Sequence, residues 1–431
     1  MTEVNFPLPE GTHTVILGVG DLNGLMRGKR IPADQWPRIC GSGNALAMSL
    51  FTMDMTCDVW ETPVVGFANG FPDCHIFPMH PPVAVPWEPG VAMCFAHAEG
   101  MDHGPLTVDP RQALLRQVER AAAIGIDLQV GTELEFYLLD PDTGRPRDKG
   151  NDCYGLARAA QLEPVLGPMR RGLAEMGIPI EQSNPEYAAG QVEVNIRYDS
   201  AMIAADRMIM FRSLVKQLAA RHGLNATFMA KPFIDESGNG FHLHYSLWSE
   251  GKNIFADAGK LNDLGRHFLG GMQQRMAETS ICGAATVNAY RRRQPLSFCP
   301  VNASWGLDNR TVALRVIEGS DSVVRIEKRD AGADCNPYLL MAADIAAGLD
   351  GIEGKTEPTA ITTGNAYEDD NAPPIPLDLA DAISLARNSG WLRDVLGADQ
   401  HEIWLQQAER ELAFFNQQVT PFETARYLGT F

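Results

Sequence analysis

The strongest constraint in this chain is a pattern that occurs four times: a strand-like run in which every second residue is charged or hydrogen-bonding. Successive side chains of a β-strand point to opposite faces. Thr132-Glu-Leu-Glu-Phe-Tyr-Leu-Leu139 therefore puts Glu133 and Glu135 on one face and Leu134 and Phe136 on the other. Gln191, Glu193 and Asn195 alternate with Val192, Val194 and Ile196, after Glu186 and Gly190. His242, His244 and Ser246 alternate with Leu243, Tyr245 and Leu247, after the glycine-rich Ser237-Gly-Asn-Gly-Phe241. Arg325, Glu327 and Arg329 alternate in the fourth run. A sheet with one face in water alternates too, but its polar positions are mixtures of lysine, threonine and serine, whereas these concentrate glutamate, histidine and arginine. Ionised glutamates two apart on a strand repel one another, so gathering several is costly unless a multivalent cation lies between them. The pattern predicts a divalent-metal site, and oxygen ligands with one imidazole suit magnesium or manganese better than zinc. Arginines opposite such ions would take phosphoryl and carboxylate oxygens bidentately. That is the chemistry of phosphoryl transfer.

The rest of the chain supplies the frame. Its 431 residues, 45% hydrophobic, suffice for a large core and more than one domain. From Thr14 to about Gly104 the sequence reads as short strands and turns, punctuated at Asp21-Leu-Asn-Gly24, Gly41-Ser-Gly43 and the prolines between Pro78 and Pro89, which fits a small α+β domain. Asp109-Pro110 then offers an N-cap and a first-turn proline, so a helix and a new domain are expected there. A second long helix is expected from about Ser200 to His222, ending at Gly223. The last hundred or so residues read mostly as helices, with a loop near Asn365 to Pro376. A net charge of -18 opposes nucleic-acid binding. No apolar run approaches the roughly 20 residues of a membrane helix. The N-terminus has no secretion pattern, so a cytoplasmic protein is expected. Eight cysteines without a CxxC pair read as reduced thiols.

Taken in order, these segments resemble the glutamine synthetase family over most of the chain. Gly20-Asp-Leu-Asn-Gly-Leu-Met-Arg-Gly-Lys-Arg30 looks like the family's small β-grasp domain. Gly131-Thr-Glu-Leu-Glu-Phe136, Glu186-Tyr-Ala-Ala-Gly-Gln-Val-Glu193, Ala226-Thr-Phe-Met-Ala-Lys-Pro232 and Gly240-Phe-His-Leu-His-Tyr-Ser246 resemble its large domain, as do Asn288-Ala-Tyr-Arg-Arg292, Asn309-Arg310, Arg315 and Arg325-Ile-Glu-Lys-Arg329 with Asn336-Pro-Tyr338. The resemblance implies an α+β fold: a β-grasp domain over residues 1–105, then a catalytic domain over 106–431 whose curved antiparallel sheet forms a half-barrel backed by helices. It implies that Glu135, Glu186 and Glu193 hold one metal ion and Glu133, His242 and Glu327 another, with ATP and magnesium or manganese as cofactors. Arg292, Arg310 and Arg329 would bind the glutamate carboxylate and the transferring phosphate; Gly238 would admit the glutamate backbone; Arg315, Arg325 and Ser246 would face the nucleotide. ATP would phosphorylate the glutamate γ-carboxylate and an amine would displace the phosphate. The assembly implied is a dodecamer of two hexameric rings with active sites shared between neighbours.

Two departures bear on the amine. Where ammonia-using members resemble one another in a flap glutamate, this chain has Phe298, and their aspartate-containing DGSS motif is replaced around Phe51 to Asp58. Losing carboxylates weakens the attraction for a small cation, while an aromatic ring favours a carbon-bearing amine. Ala303-Ser-Trp-Gly-Leu-Asp-Asn-Arg310 and Val419-Thr-Pro-Phe-Glu-Thr-Ala-Arg-Tyr427 also resemble members that make γ-glutamyl derivatives of alkylamines or polyamines. The expected acceptor is therefore an organic amine, with ammonia as the alternative and a catalytically silent relative as a further one. Tyr154 and Glu186, and more weakly Asp54, are the candidates for the amine pocket. Tyr367 lies where some relatives are adenylylated, but the surrounding motif is absent.

Overall fold

The computed structural model describes residues 6–147 and 149–431, and most of their strands fall into two sheets. The smaller runs in the order Met26–Pro32, Thr14–Gly20, Val91–Glu99, Asp73–Pro78, Asn44–Ala47, with Val83–Ala84 also on Val91–Glu99. Thr14–Gly20 and Val91–Glu99 are parallel; the other pairs are antiparallel. Val15, Leu17, Val19, Cys74, Ile76 and Cys94 are buried at alternate positions. The turn after Thr14–Gly20 binds this sheet to the C-terminal helices: Asn336 Nδ2 donates to the Leu22 carbonyl at 2.9 Å and Gln407 Nε2 to Asn23 Oδ1 at 2.6 Å.

The larger sheet has nine strands, in the order Trp305–Leu307, Leu314–Ile317, Arg325–Lys328, Phe241–Ser249, Asp127–Leu139, Gln191–Ser200, Ile180–Pro185, with Asn225–Thr227 and Lys252–Asn253 at the ends of the central pair. Only Trp305–Leu307 and Leu314–Ile317 pair in parallel. The sheet curls into a nearly closed half-barrel with helices against it, as expected. Leu134, Phe136, Val192, Val194, Leu243, Tyr245 and Ile326 are all buried on its apolar face. Phe136 meets Phe211 of the helix Ala201–Arg221, and Tyr245 meets Phe268 of Asp263–Gly283. Pro337–Gly354 is buried nearly all round and packs on Asp263–Gly283 through glycines. A helix this apolar on every side belongs at the centre of a fold.

The helix after Asp109 forms as Pro110–Ala123, with the Asp109 carboxylate accepting the Arg111 N–H at 2.9 Å. Ala201–Arg221 closes at Gly223, whose φ of 67° suits glycine. Leu156–Glu175 was not expected: Pro164 and Pro168 lie inside it, and proline in a helix interior removes a donor and obscures the helical signal. Lys328 breaks the strand pattern in another way. It occupies an apolar-face position, is buried, and pairs with Asp330 and Asp344.

Candidate active site

Strand register assembles the polar residues into rows. Glu133 stands opposite His242 on one side and Asn195 on the other. Glu135 faces Glu193. His244 faces Glu327, which faces Arg315. Opposing residues on one sheet face lie within side-chain reach, so the four runs converge on one patch. Glu133 Oε2 is 3.3 Å from His242 Nδ1, and Glu133 Oε1 is 2.9 Å from His244 Nε2. His242 Nδ1 is 3.6 Å from Glu327 Oε1. Ligating atoms of Glu133, Glu193 and His242 lie within 4.8 Å of one another, as do those of Glu133, His244 and Glu327.

These groups cut across the two triads implied by the resemblance. Glu133 belongs to both, Glu193 sits with His242, and His244 stands beside Glu327. His244 is not among the ligands the resemblance implies, although its alternation with His242 signals the same face.

The electrostatics divide the patch in two. Burial disfavours ionised Glu133, but His244 and His242 outweigh it and hold the carboxyl well below the usual range. Burial is likewise outweighed at Glu327, where Arg329, His244 and His242 bring the pKa to about 2. At Glu186, burial and the neighbouring Glu135 push it up to about 7. At Glu193, burial and the charges of Glu133, Glu135 and Glu186 push it up to about 9. A carboxylate set raised by burial and by mutual repulsion, with imidazoles alongside, fits a hard divalent cation.

The glycine-rich segment closes against this patch. The Gly240 N–H donates to Glu135 Oε2 at 2.6 Å, and Gln191 Nε2 donates to the Gly238 carbonyl at 3.0 Å. Tyr137 Oη donates to the Ser237 carbonyl at 2.7 Å. A Cβ on Gly238 would fall 2.6 Å from Arg292 Cγ and 2.8 Å from the Ala230 carbonyl oxygen. Glycine is required there by close approach.

The arginines differ in commitment. Arg292 Nη1 donates to the Ala331 carbonyl at 2.7 Å. Arg329 pairs with Glu327. Arg315 binds Glu327 Oε2 at 3.0 Å and also Asp308. Arg325 Nε donates to His244 Nδ1 at 3.2 Å. Arg310 is exposed and makes no hydrogen bond to the described residues, but its charge acts on Tyr154 and Asp308.

A cavity of about 860 Å³ opens beside the patch, and Glu133, His244, Asn195, Ser246, Arg325 and Trp248 help line it. Gly131, opposite His244 in the register, leaves room on its floor. Tyr198 and Trp248, also at its wall, stack with centroids 6.2 Å apart.

At the rim, Tyr154 is 60% exposed and feels the charges of Glu186, Glu193 and Arg310. Phe298 is 58% exposed, on a loop where Leu296 and Phe298 both take positive φ. Ser297 Oγ ties that loop to the Arg292 carbonyl at 2.9 Å. Asp54 is not brought to the patch. Its carboxylate accepts the N–H groups of Thr56 and Asp58 in its own turn, and its charge acts on Glu411.

Residues 107–427 match the family described as glutamine synthetase, catalytic domain. The chain belongs to the glutamine synthetase family. A glutamate–isopropylamine ligase from Pseudomonas sp. is 33% identical over 434 residues, covering 96% of this chain and 95% of that protein. The γ-glutamylethanolamide synthetase GlnA4 of Streptomyces coelicolor is 35% identical over 435 residues, covering 96% and 92%. A solved structure of GmaS without ligand superposes with a TM-score of 0.86 at 31% identity, covering 97% of each chain. Every residue of the patch lies inside the segment matched by the glutamine synthetase family, whereas Asp54 lies outside it.

Proposed function

We propose that this protein joins the γ-carboxylate of glutamate to an organic amine, an alkylamine, polyamine or amino alcohol, with ATP as the source of the activating phosphoryl group. The observation that carries the reading is the convergence of Glu133, Glu193, His242, His244 and Glu327 on one face beside a large cavity. The names of the relatives support it: two of them ligate glutamate to isopropylamine or ethanolamine-type acceptors.

Glu133, Glu135, Glu186, Glu193, His242, His244 and Glu327 would hold two or more magnesium or manganese ions. When bound, such ions neutralise charge growing on a transferring phosphoryl group. The cavity, within the usual size of small-molecule sites, would take the nucleotide, with Ser246 and Arg325 at its wall and Arg315 held nearby by Glu327. Arg292, against Gly238, and the uncommitted Arg310 would grip the glutamate carboxylates, while Arg329 steadies the phosphoryl oxygens. Each well-placed donor of this kind is worth roughly 2.7 to 4 kcal/mol in the transition state. Tyr154 and Phe298 would give the amine an apolar lip beside Glu186 and shield the activated carboxyl from water. In the proposed dodecamer of two rings, Asp54 would serve the site of a neighbouring subunit rather than its own.

The test is phosphate release with ATP, glutamate and magnesium, measured across ammonium, alkylamines, ethanolamine and polyamines, with the γ-glutamyl amide identified as product. Turnover with ammonium alone at low concentration would overturn the organic-amine assignment, and a phosphorylated acceptor in place of the amide would overturn ligation.

A further inference from the structure

Behind the polar face of the sheet lies a second group of charges that the proposed chemistry does not use. Lys328 Nζ is 2.8 Å from Asp344 Oδ1 and 3.3 Å from Asp330 Oδ1. Tyr245 Oη donates to Asp344 Oδ2 at 2.8 Å, and Arg293 Nη2 is 3.3 Å from Asp330 Oδ2. All five side chains are buried. Asp330 and Asp344 supply the carboxylate partners that a buried ammonium requires. Two cations and two anions thus close a neutral group inside the core.

Its placement in the sequence is informative. Tyr245 follows His244, Lys328 lies between Glu327 and Arg329, and Arg293 follows Arg292. Asp330 follows Arg329, and its carbonyl, like that of Ala331, accepts from Arg292 Nη1, at 3.4 and 2.7 Å. Adjacent residues of a strand face opposite ways, so the buried members back onto residues that face the site. Asp344, from the helix Pro337–Gly354, joins the strand Phe241–Ser249 to Arg325–Lys328.

Apolar side chains of similar volume would fill this space with a smaller desolvation penalty. What they would lack is direction: hydrogen-bonded ion pairs fix the height of one strand against the next, which packing alone leaves looser. We infer that Lys328, Asp344 and Tyr245 are positioning residues that set the placement of Glu327, Arg329 and His244 from behind the sheet. The inference rests on reading the patch as the cation and phosphoryl site.

The test uses the full-length protein carrying Lys328→Met, Asp344→Leu and Tyr245→Phe together, which leaves Asp330 paired with Arg293 and no buried charge stranded. Three quantities are measured: the metal-free unfolding temperature, the Mn²⁺ binding isotherm, and kcat with KM for glutamate. The expected result is an unfolding temperature at or above the parent's, with Mn²⁺ affinity and kcat each reduced roughly 10- to 100-fold, the range for groups that orient ligands from behind. A group serving only stability would shift the unfolding temperature and leave affinity and kcat per folded molecule untouched. Tyr245→Phe alone, which deletes one hydroxyl, should move both quantities the same way by a smaller factor. A folded triple variant, or if that variant does not fold a folded Tyr245→Phe, with affinity and kcat indistinguishable from the parent's would overturn the inference. Failure of the parent protein to bind Mn²⁺ would instead remove the site reading, and the inference with it.

Discussion

Gly240→Ala is the smallest change that should disable the patch without replacing a charged side chain. The backbone at Gly240 is not in the left-handed region, so alanine meets no conformational penalty and its effect is steric. The new Cβ would lie 2.8 Å from His242 Nε2, 3.0 Å from Arg292 Nη2 and 3.4 Å from Glu135 Oε2. An ordinary contact needs roughly 3.5 Å, so the imidazole must retreat by ~0.7 Å. It has little room, because Nδ1 on its far side already stands 3.3 Å from Glu133 and 3.6 Å from Glu327. A displacement of this size in a ligand should weaken Mn²⁺ binding about 10- to 100-fold, or ~1.4 to 2.8 kcal/mol. The overpacking should take roughly 1 to 3 kcal/mol from stability, small enough to leave a folded protein for titration. Gly238→Ala is the contrast. Its Cβ strikes Arg292 Cγ at 2.6 Å and the Ala230 carbonyl oxygen at 2.8 Å but none of the proposed metal ligands, so it should lower stability and raise KM for glutamate while the folded protein keeps Mn²⁺ affinity near the parent value. Calorimetric Mn²⁺ titration and initial rates of phosphate release distinguish the two. Parent-like Mn²⁺ affinity in folded Gly240→Ala would refute the reasoning.

Phe298→Glu should raise kcat/KM for ammonium relative to alkylamines by about tenfold or more with little change in stability, since the side chain is exposed; an unchanged ratio would count against a rim that selects the amine. Glu186 and Glu193 have folded pKa values raised to about 7 and about 9, so their contribution to stability is full below the unfolded carboxyl pKa and is lost as pH rises through those values. The unfolding temperature of the metal-free protein should therefore fall between pH ~6 and ~9, and Mg²⁺ or Mn²⁺ should raise it by more at the upper end; a shift on metal addition that is independent of pH would argue against these carboxyls as ligands. Gly271→Ala would set a Cβ 2.0 Å from the Ala347 carbonyl oxygen and push the two central helices apart. Chemical denaturation should show a loss of ~3 kcal/mol or more.

The patch was legible because sheets have period two and because one strand's alternation constrains the next. Glu133, Glu135, Glu193, His242 and Glu327 could each be assigned to a face from sequence, and the register then set them in rows. Which residues share a cation could not be read that way. It depends on side-chain reach across strands, and His244 enters beside Glu327 only because the register places them opposite one another. Lys328 shows the other limit of the pattern: a charge on the apolar face looks like an interruption in the sequence, and only its two aspartates, one brought by a helix sixteen positions on, make it admissible. Leu156–Glu175 was hidden by two prolines that tertiary packing overrides. Asp54 closes a turn within this chain, and a turn-forming aspartate and a ligand-binding one look alike in sequence.

The division of charge within the patch says where an exogenous cation is needed most. Glu133 stands against two imidazoles and Glu327 pairs with two guanidinium groups, so the protein itself supplies partners on that half. Among the described residues Glu135 takes only the Gly240 N–H and the Gln191 amide, and Glu186 only Asn184 and its own following N–H. Glu193 faces three other carboxylates. Dipoles cannot offset full charges that burial has stripped of water. A lysine or arginine placed among Glu135, Glu186 and Glu193 would quiet the repulsion, but it would also fill the space through which, in the proposed reaction, a phosphoryl group and a glutamate carboxylate would meet. Leaving that half uncompensated keeps the space open and makes metal loading a condition of the fully ionised site.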